Sequence, residues 1–288
     1  MNWLANRYNR KSSKELGWHP TWFGDNITDF NSQLVLKIKE FQEEHELAAD
    51  GKVGPITFRR LLSERHRDPF TTRLCRHIII DGEKHDIEWD VKINLIKPSA
   101  YKRCNSRTPS MIVTHWDATT SADNCKKVLE GRNISTHFCI DNNGIIHQFV
   151  DTKDIAWHAG NRVVNKKSIG VDFSNAYYTK YNKVYRSRLN LPPRPILEDS
   201  RVHGVLLKPH LGYYKVQIQA YKKLLEVLCE HYKIPAVAPV KENGELITTV
   251  HPPAKSGKFK GVVCHYHLTR GKIDCAGLKL TAILGELR

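Results

Sequence analysis

The chain has 288 residues, enough for one large and one small domain or for two domains of medium size. Hydrophobic residues make up 40% of it, and no apolar run approaches the roughly 20 residues that a membrane-spanning helix needs, which excludes stable insertion into a membrane. The formal net charge of +15 indicates a polyanionic partner, although charge alone does not distinguish nucleic acid, anionic lipid and cell-wall polymer.

The N-terminal residues and the cysteines indicate the cellular compartment in which the protein is made. The first residues, MNWLANRYNRKSSKELGW, lack the apolar core of a signal peptide. The seven cysteines are scattered and include no CxxC pair, which suits synthesis in a reducing compartment better than a disulfide framework. We therefore expect synthesis in the cytoplasm without a signal peptide, and release by another route if the protein acts outside it.

Residues 1–66 are predicted to form a small domain of three short helices. Asp50-Gly51 is a turn signal, and Pro55 suits the first turn of a helix. Apolar residues recur at helical spacing on both sides of this turn: Leu34, Ile38, Phe41, Leu47, Phe58, Leu61 and Leu62. A core this small favours binding over catalysis.

Several residues of this domain occur together in an FQ…DGxxGPxT…L pattern. They are Phe41, Gln42, Asp50, Gly51, Gly54, Pro55, Thr57 and Leu61. The pattern resembles the peptidoglycan-binding domain found at the ends of many cell-wall hydrolases. The resemblance implies that the domain anchors the protein to peptidoglycan and that Asp50 and Gly51 contact the wall. The alternative is a generic helical bundle in which this turn is only a turn.

A second domain is predicted at residues 76–288, after a basic linker at residues 67–75. Asn142-Asn143-Gly144 predicts a hairpin turn, and a long helix is predicted in YYKVQIQAYKKLLEVLCEHYKIP. Apolar runs predict strands in RHIIIDG, WDVKINLI, PSMIVTHWDA, THFCID, GIIHQFV, KSIGVDFSNA and FKGVVCHYH. This mixture predicts the α/β class, with a mixed central sheet flanked by helices. Residues 178–213, basic and proline-bearing, are predicted to be a long insertion or loop.

Three histidines lie where predicted strands or short apolar segments end. His115 directly follows MIVT, His158 lies in IAWHAG, and His265 follows VVC. A histidine at the end of a buried strand projects from a rigid element, as a metal ligand must. A single histidine in such a position is more often a hydrogen-bonded structural residue than a metal ligand. The choice between the two roles therefore depends on the surrounding sequence.

That context is a set of five segments in a fixed order. They are IVTHWDAT, ISTHFCIDNNGIIHQFVDTKDIAWHAG, NKKSIGVDFSN, the helix beginning near Tyr214, and VVCHYHLTRGKIDCAG. Together they resemble the zinc-dependent N-acetylmuramoyl-L-alanine amidases, the family of phage amidase-type lysozymes, which is related to peptidoglycan-recognition proteins. The resemblance implies hydrolysis of the amide between N-acetylmuramic acid and L-alanine by zinc-activated water.

The resemblance implies that Zn²⁺ is held by His115, His265 and a third ligand near residues 274–275. In relatives a catalytic lysine precedes that ligand by two positions, and Lys272 has this spacing to Asp274. We therefore favour Asp274. Cys275 is the alternative, because a thiolate is also a suitable zinc ligand.

The same resemblance implies catalytic roles. Lys272 would stabilise the developing oxyanion. Asp172 stands where some relatives have a glutamate that serves as general base, and His158 is the second candidate for moving the proton.

Four other residues are expected near this site. Thr136 stands where some relatives have a catalytic tyrosine, and we expect Thr136 and Trp157 to contact the substrate. We expect His137 and His267 to be structural rather than zinc ligands.

Two function classes follow. The first is a peptidoglycan amidase, an endolysin released from a phage-infected cell or a bacterial enzyme exported otherwise, which acts on the cell wall as a monomer. The second is a recognition protein that binds muropeptides without cleaving them. Nucleic-acid binding rests on charge alone, without an aromatic and basic motif, and is not expected.

Overall fold

The computed structural model describes residues 2–65, 74–104 and 106–287, which fall into two compact units, residues 2–65 and residues 74–287. Of the linker predicted at residues 67–75, residues 67–73 lie outside the described ranges, and Cys75 begins the first strand. Within those ranges, no helix is long and apolar enough to cross a membrane.

The first unit contains three α-helices, as predicted: α1 Asn2–Leu16, α2 Ser32–Glu44 and α3 Pro55–Arg65. The side chain of Asn31 caps α2 by accepting a hydrogen bond from the backbone N–H of Leu34, at 3.1 Å. Trp18 is fully buried and makes edge-to-face contacts with Phe23 and Phe30, which gives the unit its apolar centre.

The second unit contains a seven-stranded mixed sheet. Its strands are β1 Cys75–Ile80, β2 Glu83–Ile93, β4 Met111–Trp116, β5 Phe138–Ile140, β6 Ile146–Gln148, β8 Ser168–Phe173 and β13 Gly261–Cys264. They lie in the order β1-β2-β6-β5-β8-β4-β13. The pairs β1–β2 and β5–β6 are antiparallel, whereas β5, β8, β4 and β13 are parallel to one another.

The remaining strands are two-residue pairs outside this sheet: β3 Tyr101–Lys102, β7 Ile155–Ala156, β9 Ile196–Leu197, β10 Arg201–Val202, β11 Val205–Leu206 and β12 His210–Leu211. The helices of the unit are α4 Ala122–Arg132, α5 Arg162–Lys167, α6 Asn182–Leu189, α7 Lys215–Tyr232, α8 Pro252–Lys255 and α9 Leu280–Gly285. The mixed sheet flanked by helices confirms the predicted fold class.

One face of the sheet packs on α7 and forms the main core. The strand residues of this core include Ile112, Phe138, Ile140, Ile169, Val171, Phe173 and Val262. The predicted long helix is α7, and its buried stripe consists of Gln217, Ala220, Tyr221, Leu224, Leu225 and Leu228. Replacing Leu224 by alanine would cost about 2–5 kcal/mol of stability, as for other fully buried leucines.

The opposite face of the sheet carries polar and reactive side chains. Because side chains alternate along a strand, the residues next to the core positions project to this other face. His115 of β4 pairs in register with Asp172 of β8, and Asp172 pairs with Cys139 of β5. The carboxyl ends of parallel strands meet at one edge, so His265, directly after β13, comes close to His115.

Residues 178–213 were predicted to be a long insertion or loop; they are not a plain loop, because they contain α6 and strands β9 to β12. The segment is anchored by Arg194, whose buried guanidinium donates hydrogen bonds to the carbonyl of Ser174, to Asn142 and to Gln217. The local hydrophobic pattern is too short to reveal these elements, because their stability comes from contacts with the rest of the domain.

Candidate active site

Three side chains converge at the carboxyl ends of β4 and β13. The Nδ1 atoms of His115 and His265 are 3.0 Å apart, and Oδ2 of Asp274 lies 3.2 Å from the first and 3.0 Å from the second. All three residues are buried. The structure therefore brings together residues that are 150 positions apart in sequence.

The protonation of His115 can be derived from its partners. The Ser168 hydroxyl donates to the carbonyl of Val164 at 2.7 Å, so its oxygen accepts from Nε2 of His158, at 3.2 Å. Nδ1 of His158 must then accept from Nε2 of His115, at 3.0 Å. As a result, Nδ1 of His115 carries a lone pair that points at another nitrogen and at a carboxylate oxygen.

This donor set fits a metal ion. A tetrahedral zinc with bonds of about 2.0–2.1 Å places its ligands about 3.3 Å apart, close to the distances seen among these three residues. Burial, followed by the charge of His265, lowers the pKa of His115 to about 4, so this imidazole is neutral at neutral pH. Burial alone would raise the pKa of Asp274, but its close contacts with the imidazoles of His115 and His265 outweigh burial and hold that pKa below its ordinary range. Both groups thus have the deprotonated form that a metal ligand requires.

Cys275, the alternative third ligand, lies elsewhere. Its side chain is buried in the main core and contacts Cys264 and Tyr213. The group of possible ligand atoms that includes His115 and His265 is completed by Asp274.

Gly170 allows His158 to approach the sheet. A Cβ atom at this position would lie 2.7 Å from Cγ of His158 and 2.8 Å from Oγ1 of Thr136. The side chain of Asn165 holds the same segment from the other side by accepting from the backbone N–H of Ala159, at 2.8 Å. None of these contacts was expected from the sequence, because they depend on strand register.

We predict that Gly170→Ala displaces His158 and weakens zinc binding by about 10- to 100-fold, as the loss of a residue that orients a metal-ligating histidine does elsewhere. The measurement is competition for zinc with a chromophoric chelator. Gly131→Ala is the matched control, because a Cβ there meets open space on α4 and should leave affinity unchanged. Unchanged affinity in Gly170→Ala would contradict the role of His158.

Asp172 lies beside this group. Burial and the charge of Asp117 raise the pKa of Asp172 well above its ordinary value, and the nearby hydroxyl of Thr136 only partly offsets this. Asp172 and Thr136 line the same cleft as the three converging residues. This position is compatible with a group that holds or moves a proton.

The cleft itself has a volume of about 640 Å³. Trp157 and Lys272 also line it and are exposed, so both are accessible to a substrate. The backbone carbonyl of Lys272 is 3.0 Å from Nε2 of His203, on the turn between β10 and β11. The 178–213 segment therefore contacts the loop that carries Lys272.

His137 and His267, which were expected to be structural, form hydrogen bonds away from the group around His115. Nδ1 of His137 accepts from the backbone N–H of Gly170 at 3.0 Å, and its Nε2 lies 2.8 Å from Nη2 of Arg107. Nδ1 of His267 accepts from the backbone N–H of Cys264, and its Nε2 donates to the carbonyl of Ile247. Neither ring lies in the group around His115.

In the first unit, Asp50 and Gly51 have internal partners. Oδ1 of Asp50 accepts from Gln42 at 3.0 Å, and the backbone N–H of Gly51 donates to the same glutamine at 2.8 Å. Gly51 has φ +70°, and a Cβ there would lie 2.7 Å from Val35. Asn9 of α1, which the sequence pattern did not indicate, also binds this turn. Contact of Asp50 and Gly51 with the wall stays a prediction.

Comparison with known proteins identifies the two units. The family model described as "N-acetylmuramoyl-L-alanine amidase" matches residues 105–274, more than half of the chain, and that described as "Putative peptidoglycan binding domain" matches residues 15–61. No curated protein matched the chain.

Solved structures that resemble the chain include three amidases or related hydrolases. The endolysin amidase LysCS from Clostridium intestinale is 14% identical over 68% of this chain and 94% of its own, with a TM-score of 0.42. The hydrolase AmiA from Staphylococcus aureus is 11% identical over 68% and 82%, with a TM-score of 0.43. The Ph2119 endolysin from a Thermus scotoductus bacteriophage is 15% identical over 66% and 90%, with a TM-score of 0.37.

The family match agrees with the geometry of the cleft. The family is generally zinc-dependent, and the chain has a His-His-Asp group suited to such an ion. The chain therefore belongs to the N-acetylmuramoyl-L-alanine amidase family, a family of peptidoglycan hydrolases, and carries an N-terminal peptidoglycan-binding domain.

Proposed function

We propose that this amidase holds a zinc ion with His115, His265 and Asp274 and hydrolyses the bond between the lactyl group of N-acetylmuramic acid and L-alanine. The observation that carries the proposal is the convergence of these three side chains in the cleft of a chain matched to the amidase family. Bound zinc supplies two things here: a water that is a good nucleophile near neutral pH, and polarisation of the scissile carbonyl.

Side chains of the protein orient the zinc ligands and stabilise the charge that develops during the reaction. His158, held by Ser168, keeps the ring of His115 in the tautomer whose Nδ1 is free to act as a ligand. Lys272, exposed on the cleft, stabilises the negative charge that develops on the carbonyl oxygen.

Breaking the amide also requires a proton transfer from the attacking water to the leaving nitrogen. Asp172 is the first candidate, because its carboxyl is buried next to the ligand group and lines the cleft. His158 is the second, but both of its ring nitrogens already have partners. Asp172→Asn should therefore lower kcat by about 10²–10⁴-fold without loss of zinc, whereas His158→Gln should weaken zinc binding.

The substrate is expected to lie along the cleft, with Trp157 and Thr136 in contact with it. The N-terminal domain would hold the enzyme on the wall, and the +15 charge would favour approach to an anionic envelope. We place its action on the cell wall, as an endolysin or a related lytic enzyme.

The test is digestion of purified sacculi. We expect free stem peptides with N-terminal L-alanine and no new reducing ends, and we expect a chelator to stop the reaction and Zn²⁺ to restore it. New reducing ends would indicate a glycosidase, and chelator-resistant release would contradict the zinc mechanism. Binding to sacculi without release would indicate the recognition role instead.

A further inference from the structure

A second group of possible metal ligands lies under α4, next to the histidine site. Asp117 follows β4, Cys125 lies on α4, and Cys139 lies on β5. Their ligand atoms all lie within 4.8 Å of one another. Asp172 adjoins them, because its Oδ2 is 4.0 Å from Sγ of Cys125.

The spacing suits a thiolate metal site. A tetrahedral zinc with bonds of about 2.3 Å to sulfur and about 2.0 Å to oxygen places these ligands about 3.5–3.8 Å apart. Sγ of Cys139 is 3.8 Å from Oδ2 of Asp117, and the contact between Cys125 and Asp172 is only slightly longer. Thiols are weak hydrogen-bond donors, so these contacts alone do little to compensate the burial of two carboxylates.

Asp117 is oriented as a ligating carboxylate is in metal sites. Its Oδ1 accepts from the backbone N–H groups of Thr119 and Asn175, at 2.8 and 3.0 Å. Its Oδ2 accepts from the hydroxyl of Thr119 at 2.7 Å and also faces Cys139. Such outer hydrogen bonds fix the direction of a carboxylate toward a metal and leave an oxygen lone pair for it.

Across the described ranges, Asp117 forms no ion pair with a cationic side chain. A bound cation would balance its carboxylate, and Asp117 lines the cleft, which gives an ion a path to the site.

We propose that Asp117, Cys125 and Cys139 bind a second thiophilic divalent cation of the Zn²⁺ class. Two cysteines favour such an ion over Mg²⁺ or Ca²⁺, which prefer oxygen ligands alone. Binding releases the two thiol protons to solvent and connects α4 and β5 to the end of β4. This inference does not depend on the proposed catalytic residues.

The test uses the full chain, purified under reducing conditions and freed of metal, with Cd²⁺ as the probe. We expect two equivalents to bind in equilibrium dialysis, and one of them to produce the ultraviolet charge-transfer band of thiolate-bound Cd²⁺. The histidine site has no thiolate and contributes no such band. The double variant Cys125→Ser, Cys139→Ser should lose one equivalent and the band, and His265→Ala should lose one equivalent and keep the band.

Cys229→Ser is the matched control. Cys229 is a half-buried cysteine of α7 that packs against the main core, so this variant should still bind both equivalents of Cd²⁺. If the double variant does not fold, Cys125→Ala and Cys139→Ala separately should each weaken the band-producing equivalent by about tenfold or more. A wild-type chain with one equivalent and no band would overturn the second site and leave the histidine site intact. A band that survives both cysteine changes, or that disappears in Cys275→Ser, would overturn it as well.

Discussion

Asp274→Ala is expected to lose zinc and amidase activity together. Even residues that only orient a metal ligand change affinity by about 10- to 100-fold, so removal of the only carboxylate in the group should cost more than about 100-fold. The zinc content after dialysis and the release of stem peptides from sacculi measure the two effects. The variant should remain folded, because the change replaces a polar side chain at the cleft and leaves the core intact.

Cys275→Ala is the matched control for this experiment. The Cys275 side chain contacts Cys264 and Tyr213 in the core, so its removal should lower stability by about 0.5–3 kcal/mol and leave zinc binding nearly unchanged. If Cys275→Ala lost the metal and Asp274→Ala kept it, the third ligand would be the cysteine.

The second large effect is expected for Lys272→Gln. If the ammonium group stabilises charge on the carbonyl oxygen only as the bond breaks, its loss should lower kcat by about 10²–10³-fold and change KM and zinc content little. Steady-state kinetics on a soluble muropeptide separates these quantities.

Lys279→Gln is the control for the loss of one positive charge, because Lys279 is exposed and is not among the residues that line the cleft. An equal loss of activity in both variants would indicate a general electrostatic effect on substrate approach. A change confined to KM in Lys272→Gln would make this lysine a binding residue.

The sequence predicted the fold class well because its strongest signals are local. Buried strands give continuous apolar runs, such as MIVT before His115 and VVC before His265, and the position of a residue at the end of such a run is visible without a structure. Asp274 was favoured by its distance from Lys272 along the chain. The structure supports that choice by the direction in which Asp274 and Cys275 point.

Other parts of the site could not be predicted, because they depend on register between distant segments. The contact of Ser168 with His158 and the space left by Gly170 exist only once β8 lies beside β4 and the His158 segment packs over it. Likewise, Cys125 and Cys139 look like ordinary small core residues in the sequence. Only their meeting with Asp117 in three dimensions distinguishes them.

The position of β13 has a consequence for the cell that makes the enzyme. Among the described residues, this strand lies at the edge of the seven-stranded sheet and pairs with β4 alone, and both His265 and Asp274 follow it along the chain. A nascent polypeptide that has not yet emerged beyond residue 261 holds His115 alone, and one ligand does not make a metal site. With the proposed ligand set, a fragment that ends before residue 261 is therefore expected to bind no zinc at this site and to leave the wall intact.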